Sequence, residues 1–515
     1  MTGLVLVLVP LAALLFGEMD TTSADPESLW ASFSEPHLRG LLVGSLGLAL
    51  SVTVATMLLG VPIGLLLASS RSRTVRLLAL LHVLPLCLPP YLGALGWAGL
   101  AGQTGSFGQM FTEGAGIWMS GILYSKAGFV LVMTIALTPV VSLLTWAFAR
   151  SIDASAIEAA RLGRPTGSVL ARIVYPLCLP GITLAGLLVF VLALGEVAVG
   201  QFLRVPVYAS TVFNRLADLS FLPFDALARA WPLVFVAVAV AAVCYLTERR
   251  GHAALGLRDA GATNWLQGSQ RLGAATLLVL VATLGMLPIG SLVIRGFFGP
   301  GGGVTGMTAA GNALGNSLLY ATLGATCMLG IAVPAGYLWS RNPKVGHFVS
   351  LPLLVGLTLP AVVLGLGLVI AWNQPATQWI YQGIGIVLLG LLARYLYPIV
   401  RTAKLGFDRL PDTWLEAARI HQGSLLRRLV FVIIPASLPI IATAWTLGFL
   451  LVQRDMDTTI IFYPPGGECL PVRALTLEAN APAGLTAATA GLQVIVTALA
   501  LGLLSMSARL QRRFC

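Results

Sequence analysis

The sequence predicts an all-α integral membrane protein with twelve transmembrane helices, arranged as two parallel repeats of six helices each. The first observation behind this prediction is composition: 57% of the 515 residues are hydrophobic and 10% are charged, with a mean hydropathy of +0.89. A water-soluble fold could not hide so much apolar surface. The second observation is that the two halves of the chain carry the same motifs in the same order.

Twelve apolar runs are long enough to cross a bilayer, which takes about 20 residues per helix. Helices are expected because lipid offers an open backbone no hydrogen-bond partner. The predicted spans are 1–17, 40–69, 77–101, 128–149, 178–199, 230–247, 272–294, 312–338, 347–372, 379–400, 436–453 and 484–508. We expect the first span to be an uncleaved helix, since it has neither a basic leading region nor a small-residue cleavage site.

The distribution of basic residues predicts the orientation of these spans. Most of the 31 Lys and Arg residues fall in alternate loops and in the C-terminal tail; the loops are 70–76, 150–177, 248–271, 339–346 and 401–435. Short cytoplasmic loops retain positive charge, so both termini are expected in the cytoplasm. The net charge of +11 is then a consequence of topology, and nucleic acid is not an expected partner.

The repeat is visible at the start of each half. The stretch "GSLGLALSVTVATMLLGVPIGLLLASSR" resembles "GNSLLYATLGATCMLGIAVPAGYLWSRN", and the helix that follows resembles its counterpart too. The matched pairs are Pro62 with Pro334, Gly64 with Gly336 and Pro89 with Pro360. We therefore predict a first repeat at 1–255 and a second at 256–515.

Six spans in each predicted repeat give both repeats the same polarity across the membrane. The two repeats are then related by an axis along the membrane normal. A translocation path is expected at the seam between them, where a membrane protein with two like halves would place it.

A polar motif occurs twice, each time in the loop between the fourth and fifth spans of a repeat. The first copy begins "EAARLGRPTGS" at Glu158 and the second "EAARIHQGS" at Glu416. Ser155 lies three residues before Glu158, and Thr413 three before Glu416, so each copy is typical of a capping box at a helix start. We expect a short cytoplasmic helix in each loop.

Basic residues follow each predicted loop helix, and Pro176 or Pro435 is then expected to open the next span, where proline is well tolerated. A single copy of the motif would be explained by helix capping alone. Two copies at equivalent places favour a specific interaction with another protein.

At these residues the sequence resembles the integral-membrane permease subunits of binding-protein-dependent ABC importers. The family signature is Glu-Ala-Ala, three residues, Gly, and a later Pro before an apolar helix. The matching residues are Glu158, Ala159, Ala160, Gly163 and Pro176 in the first copy, and Glu416, Ala417, Ala418 and Pro435 in the second. The resemblance implies the type I ABC importer transmembrane fold, with loops that form coupling helices on two copies of an ATPase subunit. It also implies a periplasmic or lipid-anchored substrate-binding protein, and a place in the inner membrane of a bacterial cell.

Both copies depart from the family signature. In the first, only two residues separate the alanines from Gly163; in the second, Gln422 takes the glycine position and Gly423 follows. The two loops are therefore expected to share a role but to fit their ATPase copies unequally.

The energy source is expected on a separate subunit. Lys126, Lys344 and Lys404 each follow a residue other than Gly, so the chain has no phosphate-binding Walker A loop. We expect no enzyme activity and no cofactor on this chain, with ATP and Mg²⁺ bound by the partner. The six cysteines show no paired spacing, which predicts neither a disulfide framework nor a metal site.

Two other classes of protein, a secondary transporter and a polytopic enzyme, are alternatives to a permease. A twelve-helix secondary transporter would share the count of spans, but it should carry intramembrane ionisable residues and a Gly-Asp-Arg type of loop after its second span. That loop here is "SRSRTVR". A polytopic enzyme would need a cluster of His, Asp or Glu at membrane depth, and the predicted spans contain none.

Two carboxylates occupy equivalent places near the outer ends of the fifth and eleventh predicted spans. Glu196 lies near the end of the fifth predicted span, 178–199, and Asp455 just after the eleventh, 436–453. They are interpreted either as ordinary helix-end carboxylates or as an acidic pair that lines the route of a cation. In its fused layout and in the stretches "LPLCLPPYLGALGW" and "FYPPGGECLPVRALTLEA", the chain is most similar to the iron(III) permeases of this superfamily. Ferric iron is thus the expected substrate, with thiamine, polyamine or phosphonate as alternatives; the run Asp-Met-Asp-Thr-Thr at Asp455 departs from the Glu-x-Pro-Ala-Thr associated with the iron group.

Overall fold

The structure is a computed structural model, and the residues it describes fold as helices joined by turns. It describes residues 35–514 apart from 71, 104, 111–112, 163–164, 217–222, 252–265, 409, 411–412, 414–415 and 417–423. The chain divides into two compact units. The N-terminal unit consists of the described residues of Asp20–Gly306 and Pro482–Gly491, and the C-terminal unit of those of Met307–Ala481 and Leu492–Cys515.

Thirteen helices make up most of the N-terminal unit. They are α1 (Pro36–Ser69), α2 (Arg73–Val83), α3 (Pro90–Ala101), α4 (Ser106–Met110), α5 (Glu113–Leu123), α6 (Lys126–Arg150), α7 (Ala154–Arg161), α8 (Thr166–Val169), α9 (Tyr175–Leu194), α10 (Ala198–Phe202), α11 (Tyr208–Leu216), α12 (Pro223–Gly251) and α13 (Gly268–Phe298).

A second series of helices follows in the C-terminal unit. They are α14 (Gly303–Ala309), which begins in the N-terminal unit, α15 (Ala313–Arg341), α16 (Pro343–Thr358), α17 (Ala361–Trp372), α18 (Gln378–Tyr381), α19 (Ile384–Phe407), α20 (Leu425–Arg428), α21 (Ile434–Arg454), α22 (Thr459–Phe462), α23 (Leu470–Asn480) and α24 (Ala483–Phe514). From α15 onward the order of long, broken and short helices repeats that of the N-terminal unit from α1 onward.

The helix α13 opens the second predicted repeat in sequence but packs within the N-terminal unit. The first residues of α24, as far as Gly491, also belong to that unit. Sequence repeat and compact unit are therefore different divisions of the chain, and the repeat boundary at 255/256 stays a prediction.

Within the described residues, nine helices are long and apolar enough to cross a membrane, or up to eleven spans if each of two bent helix pairs is one span. They correspond to the predicted spans from the second to the twelfth. The first predicted span, 1–17, lies outside the described residues. The total of twelve is therefore still a prediction, whereas the all-helical class is confirmed.

The predicted spans 77–101 and 347–372 are wrong as single straight helices. The first is bent by 103° and the second by 109° at a short break. At each break a proline, Pro89 or Pro360, precedes the second helix, and the residue before it has an extended backbone (Leu88, ψ 152°; Leu359, ψ 129°). Proline disfavours the helical conformation of the residue before it, so the chain turns at these positions.

Pro176 and Pro435 are the second residues of α9 and α21, but in each case the continuous apolar helix begins earlier, so the proline does not open the span as predicted. The apolar helices run over Gly167–Leu194 and Val430–Arg454. A π turn, Leu170–Val174 or Leu429–Ile433, lies just before each proline. Proline lacks an N–H and its ring clashes with the carbonyl one α-turn back, and the wider π turn accommodates both defects.

Close helix packing in each unit depends on one matched glycine. In the N-terminal unit α1 lies so near α6 that a Cβ at Gly64 would be 2.5 Å from the carbonyl oxygen of Ser142. In the C-terminal unit α15 approaches α19, and a Cβ at Gly336 would be 2.8 Å from the amide nitrogen of Lys404. The aligned glycines thus mark the same helix contact in both units.

Candidate functional site

The first copy of the repeated motif forms the short helix α7, as predicted, but its cap differs from the prediction. Asp153 is the N-cap residue, and its Oδ1 accepts a hydrogen bond of 3.0 Å from the backbone N–H of Ser155. The predicted capping box of Ser155 with Glu158 is therefore wrong at its first residue. Asp and Ser are comparable N-caps, and the helix begins at the earlier of the two.

One face of α7 is anchored and the other is open. Ile157 is fully buried in a cluster with Ala149, Val174 and Cys178, and Ala160 packs against that cluster. Glu158 and Ala159 on the open side are exposed. The arrangement holds the helix against its own unit while it presents the motif's carboxylate to the surroundings.

An apolar side chain stands beside that carboxylate at the end of α7. Leu162 is 92% exposed, so almost its whole apolar side chain is accessible to a partner. Gly163 lies outside the described residues. A charged group next to an exposed leucine is a surface suited to docking on another protein.

The second copy of the motif is described at two of its positions. Thr413 and Glu416 are exposed. Ala417, Ala418, Gln422 and Gly423 lie outside the described residues, so the second loop helix and its capping box stay predictions.

At the other end of the following span, Glu196 is buried with 6% exposure. It comes directly after α9, and its Oε1 accepts a hydrogen bond of 3.1 Å from the backbone N–H of Val199, at the start of α10. The carboxylate therefore stabilises the beginning of that short helix, where free N–H groups carry partial positive charge.

Asp455 takes the same role in the C-terminal unit at the end of α21. Its Oδ1 accepts hydrogen bonds from the backbone N–H groups of Thr458 (2.9 Å) and Thr459 (3.1 Å), where α22 begins. The residue is 3% exposed. Each predicted pathway carboxylate thus caps a short helix inside its own unit.

Asp455 has a further set of partners that sequence reasoning did not assign to it. Its Oδ2 accepts hydrogen bonds from Arg394 Nη1 at 3.2 Å and from the Tyr395 hydroxyl at 2.8 Å, both on α19. Arg394 also donates to Thr458 Oγ1 at 3.0 Å and lies 3.8 Å from a carboxylate oxygen of Asp457. The positive charge of Arg394 thus balances Asp455 directly.

A signal for this pair was present in the sequence. Arg394 lies within the predicted span 379–400, and an ionisable residue inside a membrane span needs a partner. The partner comes from the turn after α21, which sequence spacing alone does not bring near α19.

A second contact repeats in the two units and was also missed. Ser45 Oγ on α1 accepts a hydrogen bond of 2.7 Å from the backbone N–H of Tyr208, the first residue of α11. Ser317 Oγ on α15 accepts one of 2.8 Å from the N–H of Leu470, the first residue of α23. Each serine caps a helix that is distant in sequence.

Metal ligation was tested on the described part of the chain. It contains no group of three or more His, Cys, Asp or Glu side chains that could hold a metal ion. Cys469, close to the Asp455 network in sequence, is buried, and burial raises the pKa of its thiol to about 12. That thiol remains protonated and is a poor metal ligand.

The fold defines a multi-pass α-helical membrane protein. Residues 328–514 match the family described as binding-protein-dependent transport system inner membrane component. The molybdenum transport system permease protein ModB of Mycobacterium tuberculosis is 36% identical over 195 residues, which are 38% of this chain and 70% of that protein.

Two more distant relatives carry other substrates in their names. The putative ferric transport system permease protein FbpB 1 of Haemophilus influenzae is 22% identical over 471 residues, 87% of this chain and 73% of that protein. The putative 2-aminoethylphosphonate transport system permease protein PhnV of Salmonella typhimurium is 26% identical over 175 residues, 33% of this chain and 63% of that protein. No solved structure matches the chain.

The chain belongs to the family of binding-protein-dependent transport system inner membrane components, the permease subunits of ABC importers. It is a multi-pass inner membrane protein and a transport subunit. Family membership implies an ATPase and a substrate-binding protein as partners.

Proposed function

We propose that this one chain supplies both membrane halves of an ATP-driven importer, with one ATPase copy docked on each repeated loop. The observation that carries the proposal is α7, anchored through Ile157 and open at Glu158 and Leu162. The presence of the same motif at Glu416 supports a second docking loop. The basic loops support a cytoplasmic location for both termini and both motifs.

The mechanism that follows is alternating access. A loaded binding protein docks on the outer loops while ATP brings the two ATPase copies together, and the docked loops carry that movement to the spans. ATP and Mg²⁺ are bound by the ATPase copies, and this chain contributes the path and the two docking loops.

For the substrate we propose a small oxyanion of the molybdate type. The relatives that are 36% identical are named for molybdenum transport. The pairing of Asp455 with Arg394 also weakens the case for an acidic cation route, because this carboxylate is already neutralised and hydrogen-bonded.

Ferric iron remains the second candidate. The relative named for ferric transport is aligned over 87% of this chain, which supports a layout shared over more of the chain than the molybdenum relatives cover. A pathway role of Glu196 and Asp455 is part of this second candidate.

Charge reversal tests the docking loops. With its ATPase and binding protein in proteoliposomes, the variants Glu158→Lys and Glu416→Lys are expected to lose transport while the ATPase turns over without coupling. Lys344→Glu, a charge reversal at an exposed position outside both motifs, is the control and should transport normally. Normal uptake by both Glu variants would refute the assignment.

Uptake of radioactive molybdate and of ferric iron, each with its own binding protein, separates the two substrates. Accumulation of molybdate that needs ATP supports the first candidate. Accumulation of iron alone, lost in Glu196→Gln, which leaves the Arg394 pair intact, would support the second.

A further inference from the structure

An apolar groove lies on the surface of the N-terminal unit, between α13 and the bent pair α2 and α3. Its volume is about 460 Å³. Leu78 and Leu81 of α2, Leu100 of α3 and Leu287 and Ile294 of α13 form much of the lining. Leu81, Leu287 and Ile294 are 42%, 40% and 62% exposed. In a membrane protein such an open apolar groove lies against lipid chains.

A single cation closes one end of this groove. Arg295 is part of the lining, and its guanidinium lies on α3 where Gly99 leaves room; a Cβ at Gly99 would overlap with it. In the part of the chain that the structure describes, no carboxylate lies within ion-pair distance of Arg295.

The length of the groove matches one leaflet of a bilayer. Its lining runs along α13 from Ala282, near the middle of the helix, to Arg295, near its end. At about 1.5 Å per residue this is about 20 Å, compared with about 15 Å for half of the hydrocarbon core. Arg295 therefore lies at headgroup level while the other end of the groove reaches the bilayer centre.

We propose that this groove binds one acyl chain of an anionic phospholipid, whose phosphate is held by the Arg295 guanidinium. An apolar channel of one-leaflet length fits an acyl chain, and the cation at its end complements a phosphate through charge-assisted hydrogen bonds. Ser106, which lines the groove with Arg295, adds a hydroxyl to that end. The bound lipid fills the space between α13 and the bent pair.

Native mass spectrometry of the delipidated full-length chain tests the proposal, with phosphatidylglycerol and phosphatidylcholine of identical acyl chains as probes. We expect one phosphatidylglycerol molecule to bind tightly and phosphatidylcholine to bind with lower affinity. Arg295→Gln should lower the affinity for phosphatidylglycerol about tenfold, which is the loss expected when one charged hydrogen-bonding group is removed. Leu287→Trp, which fills the groove, should weaken both lipids.

Two matched variants on the same helix are the controls. Arg271→Gln removes an exposed charge at the opposite end of α13, and Leu280→Trp enlarges an exposed leucine (48%) outside the groove. Both should bind phosphatidylglycerol as the unaltered chain does. Arg295→Lys keeps the charge and should bind within a few fold, which separates lost binding from lost folding.

Three results of these binding comparisons would overturn the proposal, and one result of a competition experiment would do so too. They are unchanged phosphatidylglycerol binding in Arg295→Gln, equal affinity for the two lipids in the unaltered chain, and equal effects of Leu287→Trp and Leu280→Trp. Competition by glycerol 3-phosphate at the concentration of the lipid would also overturn it, since the groove would then add nothing to binding.

Discussion

The turn after α21 and the turn after α9 both place a buried carboxylate at the start of a short helix, but Asp455 after α21 also pairs with an arginine. In both, a buried carboxylate caps the short helix that follows: Asp455 accepts from the N–H of Thr459, and Glu196 from that of Val199. The C-terminal unit adds a buried arginine to the carboxylate. The cap is therefore the shared element, and Arg394 is an addition in one half.

The matched helix contacts show what the N-terminal unit has in place of that arginine. A Cβ at Gly64 would lie 2.6 Å from Cβ of Thr145, and one at Gly336 would lie 2.9 Å from Cβ of Ala403. If Thr145 on α6 is matched with Ala403 on α19, the residue that corresponds to Arg394 is Ala136. Ala136 is buried. The common scaffold thus accepts either an apolar residue or an ion pair here, so the pair is not required by the fold.

The largest expected effect on the free energy of unfolding comes from Asp455, and it should exceed the effect of the corresponding change at Glu196. Asp455→Asn keeps an acceptor for the helix cap but leaves the buried Arg394 with the more distant carboxylate of Asp457, at 3.8 Å, so we expect a loss of about 3 kcal/mol in the free energy of unfolding. Glu196→Gln also keeps an acceptor for its cap and leaves the Arg394 pair intact, so it should cost less than Asp455→Asn. Equilibrium unfolding in detergent micelles measures both. Equal losses would contradict the difference drawn between the two turns.

The double variant Arg394→Met with Asp455→Asn sharpens this comparison. Because it removes both charges, it should recover most of the stability lost in Asp455→Asn. No recovery would mean that the ion pair is not the source of the loss.

An intermediate effect is expected where the two units are alike. Gly64→Ala and Gly336→Ala place a methyl group against backbone atoms of the neighbouring helix, and each should cost about 1–3 kcal/mol. The cost should be greater at Gly64, where the nearest atom is 2.5 Å away rather than 2.8 Å. Gly47→Ala on α1 and Gly330→Ala on α15 are the controls, since nothing lies within 4 Å of a Cβ there.

The smallest expected effect concerns the repeated serine caps. Ser45→Ala and Ser317→Ala each remove the acceptor for the first N–H of a distant helix, and each should cost about 1 kcal/mol. Thermal unfolding of the two variants should give nearly equal shifts. A loss at one serine only would show that the two units do not depend on this contact to the same degree.

Much of the helical framework was predictable because bilayer-length apolar runs have few alternatives to helix. The bends at Pro89 and Pro360 were less so: proline marks a possible break, but a run of apolar residues on both sides also fits one kinked span. The cap of α7 could not be chosen from sequence either, since Asp153 and Ser155 are both good N-cap residues.

The pairing of Arg394 with Asp455 illustrates the remaining limit. It depends on the turn after α21 folding back against α19, a tertiary contact that local patterns do not encode. The exposure of Glu158 beside a buried Ile157 was easier to anticipate, because both follow from a short helix lying along one unit. Local chemistry was therefore predictable where one helix decides it, and not where two distant segments must meet.

The π turns before Pro176 and Pro435 make chain length and residue type interdependent. Each turn holds one residue more than an α-helix would use over the same stretch. Deleting a residue from Leu170–Val174 alone would restore an α-turn and bring Pro176 against a carbonyl, at a cost of about 3 kcal/mol. Replacing the proline alone would remove the steric clash that the extra residue of the π turn accommodates. In each half, the extra residue of the π turn and the proline after it can therefore be gained or lost with little loss of stability only if both change together.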